Sequence, residues 1–181
     1  TPYVYYATAA KGFKASVQIT ASHNPKSDNG LKVSRENALP VGYDTGLGTI
    51  ERWIIEGKEI SPKEKKGVVY PLDIRDEYIS FQRQYLGSLE GLNIAMDLSN
   101  GASALFVKEL FGEDVHYLCD QMDGNFPCHE PNPLVAENRE VLRSYLLENK
   151  CDIGVIYDGD ADRVMFLDEK GRFISPDLMI A

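Results

Sequence analysis

Cysteine is scarce in this chain: Cys119, Cys128 and Cys151 are the only three in 181 residues. Their odd number and the lack of a CxxC pair argue against a disulfide scaffold and point to a reducing cytoplasm. Long apolar runs are also missing. No stretch approaches the roughly 20 residues that cross a bilayer, and no signal-peptide pattern opens the sequence, so no membrane partner is expected. Positive charge is in deficit, with 19 Lys and Arg against 28 Asp and Glu, a net of −9. The densest basic segment, Lys63-Glu64-Lys65-Lys66, reads as a solvated turn, and no sustained basic patch invites nucleic acid. The hydrophobic share of 43% is nevertheless enough for a real core, in one large domain or two small ones.

What the chain does have is Asp158-Gly159-Asp160-Ala161-Asp162-Arg163, directly after the apolar run Ile153–Tyr157. Carboxylates at alternate positions repel one another unless a cation neutralises them. An all-oxygen set suits a hard ion such as Mg²⁺ or Ca²⁺. The adjoining arginine is a fixed positive group matched to phosphate. The loop therefore reads as a divalent-metal site that handles a phosphoryl group. Three other readings compete with it. An EF-hand would place Asp158, Asp160, Asp162 and Glu169 at loop positions one, three, five and twelve, but Arg163 stands where the turn needs glycine and the incoming segment reads as a strand. An aspartyl-phosphate phosphatase would use Asp158 as nucleophile, but Asp162-Arg163 replaces the small hydroxyl residue expected there. A purely structural acidic turn would leave three carboxylates without a cation.

The surrounding pattern is α/β. In the second half, strands are expected over 92–97, 115–118 and 152–157, with helices over 102–111 and 137–148 between them. A loop rich in Pro, Asn and Gly runs from Asp120 to Pro133. Val164–Leu167 and Phe173–Ile174 flank Asp168-Glu169-Lys170-Gly171 as a hairpin. This order predicts a mixed, largely parallel sheet flanked by helices, with ligands beyond the carboxyl ends of its strands, where Asp158 falls. In the first half, a helix starts at Thr1-Pro2 and stops at Gly12. Short strands follow at 16–20 and 31–33. A helix near 44–57 is expected to bury Leu47, Ile50, Trp53 and Ile54, and another over 73–86 carries Ile74, Tyr78, Phe81 and Tyr85, ending at Gly87. The boundary between the units, 1–87 and 88–181, is placed there. Two short strands make a poor sheet for so many helices, so the first unit reads as part of a domain.

Thr20-Ala21-Ser22-His23-Asn24-Pro25 is the second chemical candidate. Hydroxyls, an imidazole and an amide bunched in a turn can expose a nucleophile, or simply satisfy local backbone. A Ser-His hydrolase fits poorly, because there is no GxSxG elbow and adjacent residues seldom align as nucleophile and base. Cys128-His129-Glu130 offers neither the number nor the spacing of ligands for a closed zinc site and reads as a loop. His116 reads as a packed residue.

Taken together, Thr20–Pro25, Asp158–Arg163, Asp123-Gly124-Asn125-Phe126-Pro127 and Asn132-Pro133 resemble the α-D-phosphohexomutase family, through essentially the whole chain. Asn29-Gly30-Leu31-Lys32-Val33 and Gly42-Tyr43-Asp44-Thr45-Gly46-Leu47 are most similar to its bacterial phosphomannomutases, and Ala161 is similar to phosphomannomutases and phosphoglucomutases alike. The resemblance implies phosphoglucomutase-like domains and a Mg²⁺-dependent intramolecular phosphotransferase, an isomerase of hexose 6- and 1-phosphates acting through a bisphosphorylated intermediate. It implies that Ser22 is the phosphoserine and that Asp158, Asp160 and Asp162 hold Mg²⁺ together with a Ser22 phosphoryl oxygen. Lys32 would be the proton-transfer partner, Arg163 would neutralise the phosphoryl group, and His23 and Asn24 would shape the loop around the phosphate. The substrate would be mannose or glucose phosphate. The resemblance covers the later part of a first domain and nearly all of a second. The family's N-terminal strand with its arginine, and domains 3 and 4 with their sugar and phosphate loops, have no counterpart here. That implies a fragment without turnover of its own. Asp28 stands where an aromatic is common.

Overall fold

In a computed structural model that describes residues 1–62 and 64–180, the chain forms two sheets. Lys63, at the head of the expected solvated turn, and Ala181 lie outside the described residues, while Glu64, Lys65 and Lys66 are exposed.

The larger sheet holds five strands in the order β4-β3-β5-β6-β7: β3 (Ile94–Asp97), β4 (His116–Leu118), β5 (Ile153–Tyr157), β6 (Val164–Asp168) and β7 (Phe173–Ile174). β3 pairs in parallel with both β4 and β5, and β6 and β7 add antiparallel strands beside β5. The result is the mixed α/β sheet that the sequence predicts, though only its β4-β3-β5 side is parallel. Every residue of β3 is buried, which is why Ile94-Ala95-Met96 reads as an unbroken apolar run: helices cover both faces of the strand. On one face Ala95, Ile156, Met165 and Leu167 pack with Leu142 and Leu146 of α5 (Glu140–Glu148). Gly154 admits that helix, since a Cβ there would stand 2.9 Å from Leu146 Cδ1. On the other face Ile94, Met96, Leu98, Val115 and Val155 pack with Val107 of α4 (Val107–Phe111). Burying one such aliphatic side chain contributes about 1.5–3 kcal/mol.

Several expected helices are shorter than their sequence pattern. The segment 102–111 is a 3₁₀ turn over Ala102–Leu105, then α4, with a break at Phe106 (φ −131, ψ −29). The Phe106 ring leaves the helical track to pack 4.9 Å from Tyr3 and 5.1 Å from Tyr78. Tertiary aromatic contact outweighs local propensity here. Helix α3 (Arg75–Arg83) ends four residues before Gly87, and it buries Tyr78 and Ile79. Tyr78 and Phe81 meet Tyr3 and Tyr6 of α1 (Pro2–Ala10), which starts on Pro2 as expected.

The second sheet is only the antiparallel ribbon of β1 (Ala15–Ile19) and β2 (Leu31–Arg35), with Gln18 opposite Lys32. Its apolar side chains are open: Ile19 is 72% exposed and Leu31 61%. The helix expected to bury Ile50 and Ile54 is α2 (Gly48–Ile55), preceded by a wide helical turn over Tyr43–Leu47, and it buries no residue. Ile50 and Ile54 are exposed, while Leu47 and Trp53 are half-buried. The expectation fails because a two-stranded ribbon offers no covered face against which the helix can dock.

Candidate active site

Two loops meet beyond the carboxyl end of β5. One is the 21–29 connection of the ribbon, closed at its base by Thr20 N–H donating to Gly30 O at 3.0 Å. The other is the acidic loop 158–163. They touch where side chains would not fit. A Cβ on Gly159 would overlap the Ser22 carbonyl and approach Pro131 Cβ to 3.2 Å, and a Cβ on Gly101 would stand 2.6 Å from Gly159 O. Gly159 is thus wedged between the Ser22 loop and the turn after β3.

Backbone strain gathers at the same place. Ser22 (φ 57), Ala161 (φ 61), Ser99 (φ 50) and Asn100 (φ 50) are all left-handed without being glycine. Each costs on the order of 1 kcal/mol and persists only where surrounding contacts over-determine it. At Ser22 the turn is fixed by its N–H donating to Thr20 Oγ1 at 2.8 Å. It also brings Ser22 Oγ to 3.2 Å from His23 Nδ1, so these adjacent residues do align, against the sequence expectation. Burial, and then the nearby Arg163 charge, hold the His23 imidazole below its ordinary pKa. It is neutral near pH 7 and free to accept from the hydroxyl.

Asp158, Asp160 and Asp162 each offer a carboxylate oxygen within 4.8 Å of the others. Asp158 is 0% exposed, and its Oδ1 accepts from the backbone N–H groups of Asp162 and Arg163, both at 3.1 Å. Burial, reinforced by the charges of Asp160 and Asp162, pushes its carboxyl up to about 6. Asp160 Oδ2 collects Lys32 Nζ at 2.6 Å, Thr1 Oγ1 at 2.5 Å and Thr20 Oγ1 at 3.2 Å. Burial opposes ionisation of Asp160, but the Lys32 and Thr1 hydrogen bonds prevail and lower its pKa. Lys32 reaches Asp162 Oδ2 as well, at 2.5 Å. Burial alone would depress the ammonium, yet its bonds to Asp160 and Asp162 raise its pKa, so it stays charged. Arg163 Nε lies 3.9 Å from both Asp158 Oδ2 and Asp162 Oδ1, a loose contact that leaves the guanidinium available.

A divalent cation fits these residues. Asp158 Oδ2 and Asp160 Oδ1 are buried with no hydrogen-bond partner among the described residues, a costly arrangement unless a cation uses those oxygens. The donors are all oxygen, as a hard ion requires. The same burial speaks against Asp158 as an accessible phosphatase nucleophile.

Of the residues singled out in the sequence, Ser22, His23, Lys32, Asp158, Asp160, Asp162 and Arg163 therefore converge. Ser22 joins the acidic loop through its backbone, while its hydroxyl faces His23. Asn24 is exposed, and its backbone N–H donates to Ala21 O at 3.0 Å. The sequence reading gave no site role to Gly101, Thr20 or Thr1, although Thr20 opens the polar turn and Thr1-Pro2 the first helix.

Comparison with known proteins finds relatives over both halves of the chain. Residues 1–60 match the family described as phosphoglucomutase/phosphomannomutase, alpha/beta/alpha domain I, and residues 76–171 match its domain II. A phosphomannomutase of Escherichia coli (strain K12) is 34% identical over 186 residues, which cover 96% of this chain and 41% of the relative. The chain thus spans about two fifths of such relatives' length. The crystal structure of a phosphoglucomutase/phosphomannomutase family protein from Burkholderia thailandensis superposes with a TM-score of 0.78 at 27% identity, covering 90% of this chain and 35% of that one. Parafusin, a phosphoglucomutase from Paramecium, shares the fold at 18% identity with a TM-score of 0.75, over 97% of this chain and 39% of its own. Among the described residues no helix is long and apolar enough to cross a membrane, and all three cysteines are free.

Proposed function

This chain belongs to the phosphoglucomutase/phosphomannomutase family, and we propose on that footing that it supplies the phosphoserine loop and the metal loop of a hexose-phosphate mutase. The complete protein interconverts hexose 6-phosphate and hexose 1-phosphate in the cytoplasm. Mannose phosphate is the favoured substrate, because the relatives at 34% identity are phosphomannomutases; glucose phosphate is the alternative within the family. The observation that carries the reading is the contact between the two loops: Ser22 backs onto Gly159 while Lys32 spans Asp160 and Asp162.

Ser22 is the residue that carries and passes on the phosphoryl group. Phosphoryl transfer needs alignment and charge neutralisation more than covalent assistance. Asp158, Asp160 and Asp162 hold Mg²⁺, which supplies neutralisation of the phosphoryl charge when bound. Arg163 adds a second, permanent positive group beside His23. When Ser22 Oγ parts from phosphorus it needs a proton, and the Lys32 ammonium is the charged donor of the site. The amine so formed takes the proton that the attacking sugar hydroxyl sheds, so the proton count closes. Neutral His23 orients the Ser22 hydroxyl, and Asn24 shapes the loop rim. The serine loop belongs to the unit 1–87 and the metal loop to 88–181. The 181 residues by themselves do not turn over, because the sugar and its distal phosphate are held by other parts of the complete enzyme.

Phosphopeptide mapping of the complete protein tests this. Phosphate is expected on the tryptic peptide Ala15–Lys26, at Ser22. Phosphate on Asp158 instead overturns the assignment. So does undiminished mannose-phosphate turnover after Ser22→Ala.

A further inference from the structure

A second cluster of ligating side chains lies at the neighbouring strand ends, outside the phosphoryl site. Asp97 ends β3, Cys119 follows β4 with φ 47, and His129 comes from the long loop. One ligand atom from each lies within 4.8 Å of the others. His129 Nε2 is 3.0 Å from Asp97 Oδ2, with the two side chains 6% and 0% exposed.

The hydrogen positions on His129 follow from its partners. Nδ1 is 2.9 Å from the Glu130 carbonyl oxygen, which can only accept, so Nδ1 carries the hydrogen. In a neutral ring Nε2 then presents a bare lone pair to Asp97 Oδ2, another acceptor. Two acceptors 3.0 Å apart and away from water repel one another. A positive charge has to serve both: a proton on the ring, or a metal ion. Cys119 decides between them. An imidazolium–aspartate pair has no use for a thiol, yet the Cys119 sulfur lies within 4.8 Å of both groups. Imidazole, carboxylate and thiolate together form the ligand set of a borderline-soft divalent ion, and the hydrogen bond from Nδ1 to a carbonyl is the usual outer support of a metal-bound histidine.

We propose that Asp97, Cys119 and His129 form a zinc site whose fourth position is left to solvent. Binding converts the Cys119 thiol to a thiolate and releases its proton to solvent, along with any proton held on His129 Nε2. The site would pin the 120–133 loop to the sheet and brace the floor of the phosphoryl site. Asp97 Oδ1 already accepts from Ser99 N–H at 2.8 Å, Ser99 Oγ donates to Tyr157 O at 2.6 Å, and Asp158 is the next residue.

Cobalt(II) titration of the complete, reduced protein tests the proposal. The expected result is a thiolate-to-metal charge-transfer band that Zn²⁺ abolishes by displacement. The band persists in Asp160→Asn, which removes a ligand of the acidic loop, and disappears in Cys119→Ser. Zinc affinity in Cys119→Ser and in His129→Gln should fall by more than the roughly 10–100-fold that loss of an outer-shell partner costs. If either variant fails to fold, the wild-type spectrum still decides. Absence of the charge-transfer band in the folded wild type, or its survival in folded Cys119→Ser, overturns the site.

Discussion

The backbone carbonyl of Ser22 lies against Gly159, across a position with no room for a side chain. The Ser22 loop and the acidic loop, far apart in sequence, are thereby fixed at the distance of one missing methyl group. Gly159→Ala must push the Ser22 loop outward. Its cost in stability is expected at about 1–3 kcal/mol, in the range of an overpacked interior. The sharper consequence is functional: Ser22 phosphorylation and turnover fall together while the protein remains folded in a urea melt. A fully active Gly159→Ala enzyme would show that the contact does not align the loops.

Lys32 is the ammonium that bridges Asp160 and Asp162. Lys32→Met keeps the stem and removes charge and proton. Turnover by the complete enzyme is expected to drop roughly 10²–10⁴-fold, the span of a lost proton-transfer group. Phosphate already on Ser22 should persist longer in the variant, which separates slow transfer from failure to load. Steady-state and single-turnover kinetics check both.

Metal removal gives the third expectation. Asp158 Oδ2 and Asp160 Oδ1 are buried without a hydrogen bond among the described residues. Mg²⁺ should therefore raise the melting temperature of the chelator-treated protein, by the equivalent of about 2.7 kcal/mol at a hundred times its Kd. Asp158→Asn should abolish that dependence and retain a folded far-UV spectrum. Differential scanning fluorimetry with and without Mg²⁺ reads the difference.

The turn between β6 and β7 has its own pH dependence. The Arg172 side chain donates to Asp168 Oδ2 at 2.7 Å, and the backbone N–H groups of Lys170 and Arg172 donate to Oδ1. The Arg172 hydrogen bond is the main reason that the Asp168 carboxyl titrates below the ordinary carboxylate range. A depressed carboxylate contributes stability above its unfolded pKa and loses it as pH falls through the folded value. NMR titration should therefore find Asp168 below its usual value in the wild type and shifted upward in Arg172→Ala. The two proteins should converge in stability at strongly acidic pH.

Much of this was legible in the sequence because it is written over a few adjacent residues. An apolar run followed by three alternating aspartates marks a strand feeding an acidic loop. Pro2 starts a helix, and Gly171 at φ 69 closes the hairpin where Asp168-Glu169-Lys170-Gly171 placed it. The split helix at Phe106 was not legible, because what breaks it is the pair of rings, Tyr3 and Tyr78, that Phe106 reaches. Nor was the open face of α2 legible, since periodicity reports an apolar stripe and not whether anything covers it.

By itself, then, the sequence determined which groups are the chemical candidates: a serine in a polar turn, a lysine on the following strand, three carboxylates in one loop. Those are properties of local order, set by residue type, turn propensity and spacing. The tertiary structure decided which groups act on one another. Lys32 meets Asp160 across 128 positions and His129 meets Asp97 across 32. Such pairs arise only when packed helices and a shared sheet bring distant strand ends together, and no local pattern encodes that proximity.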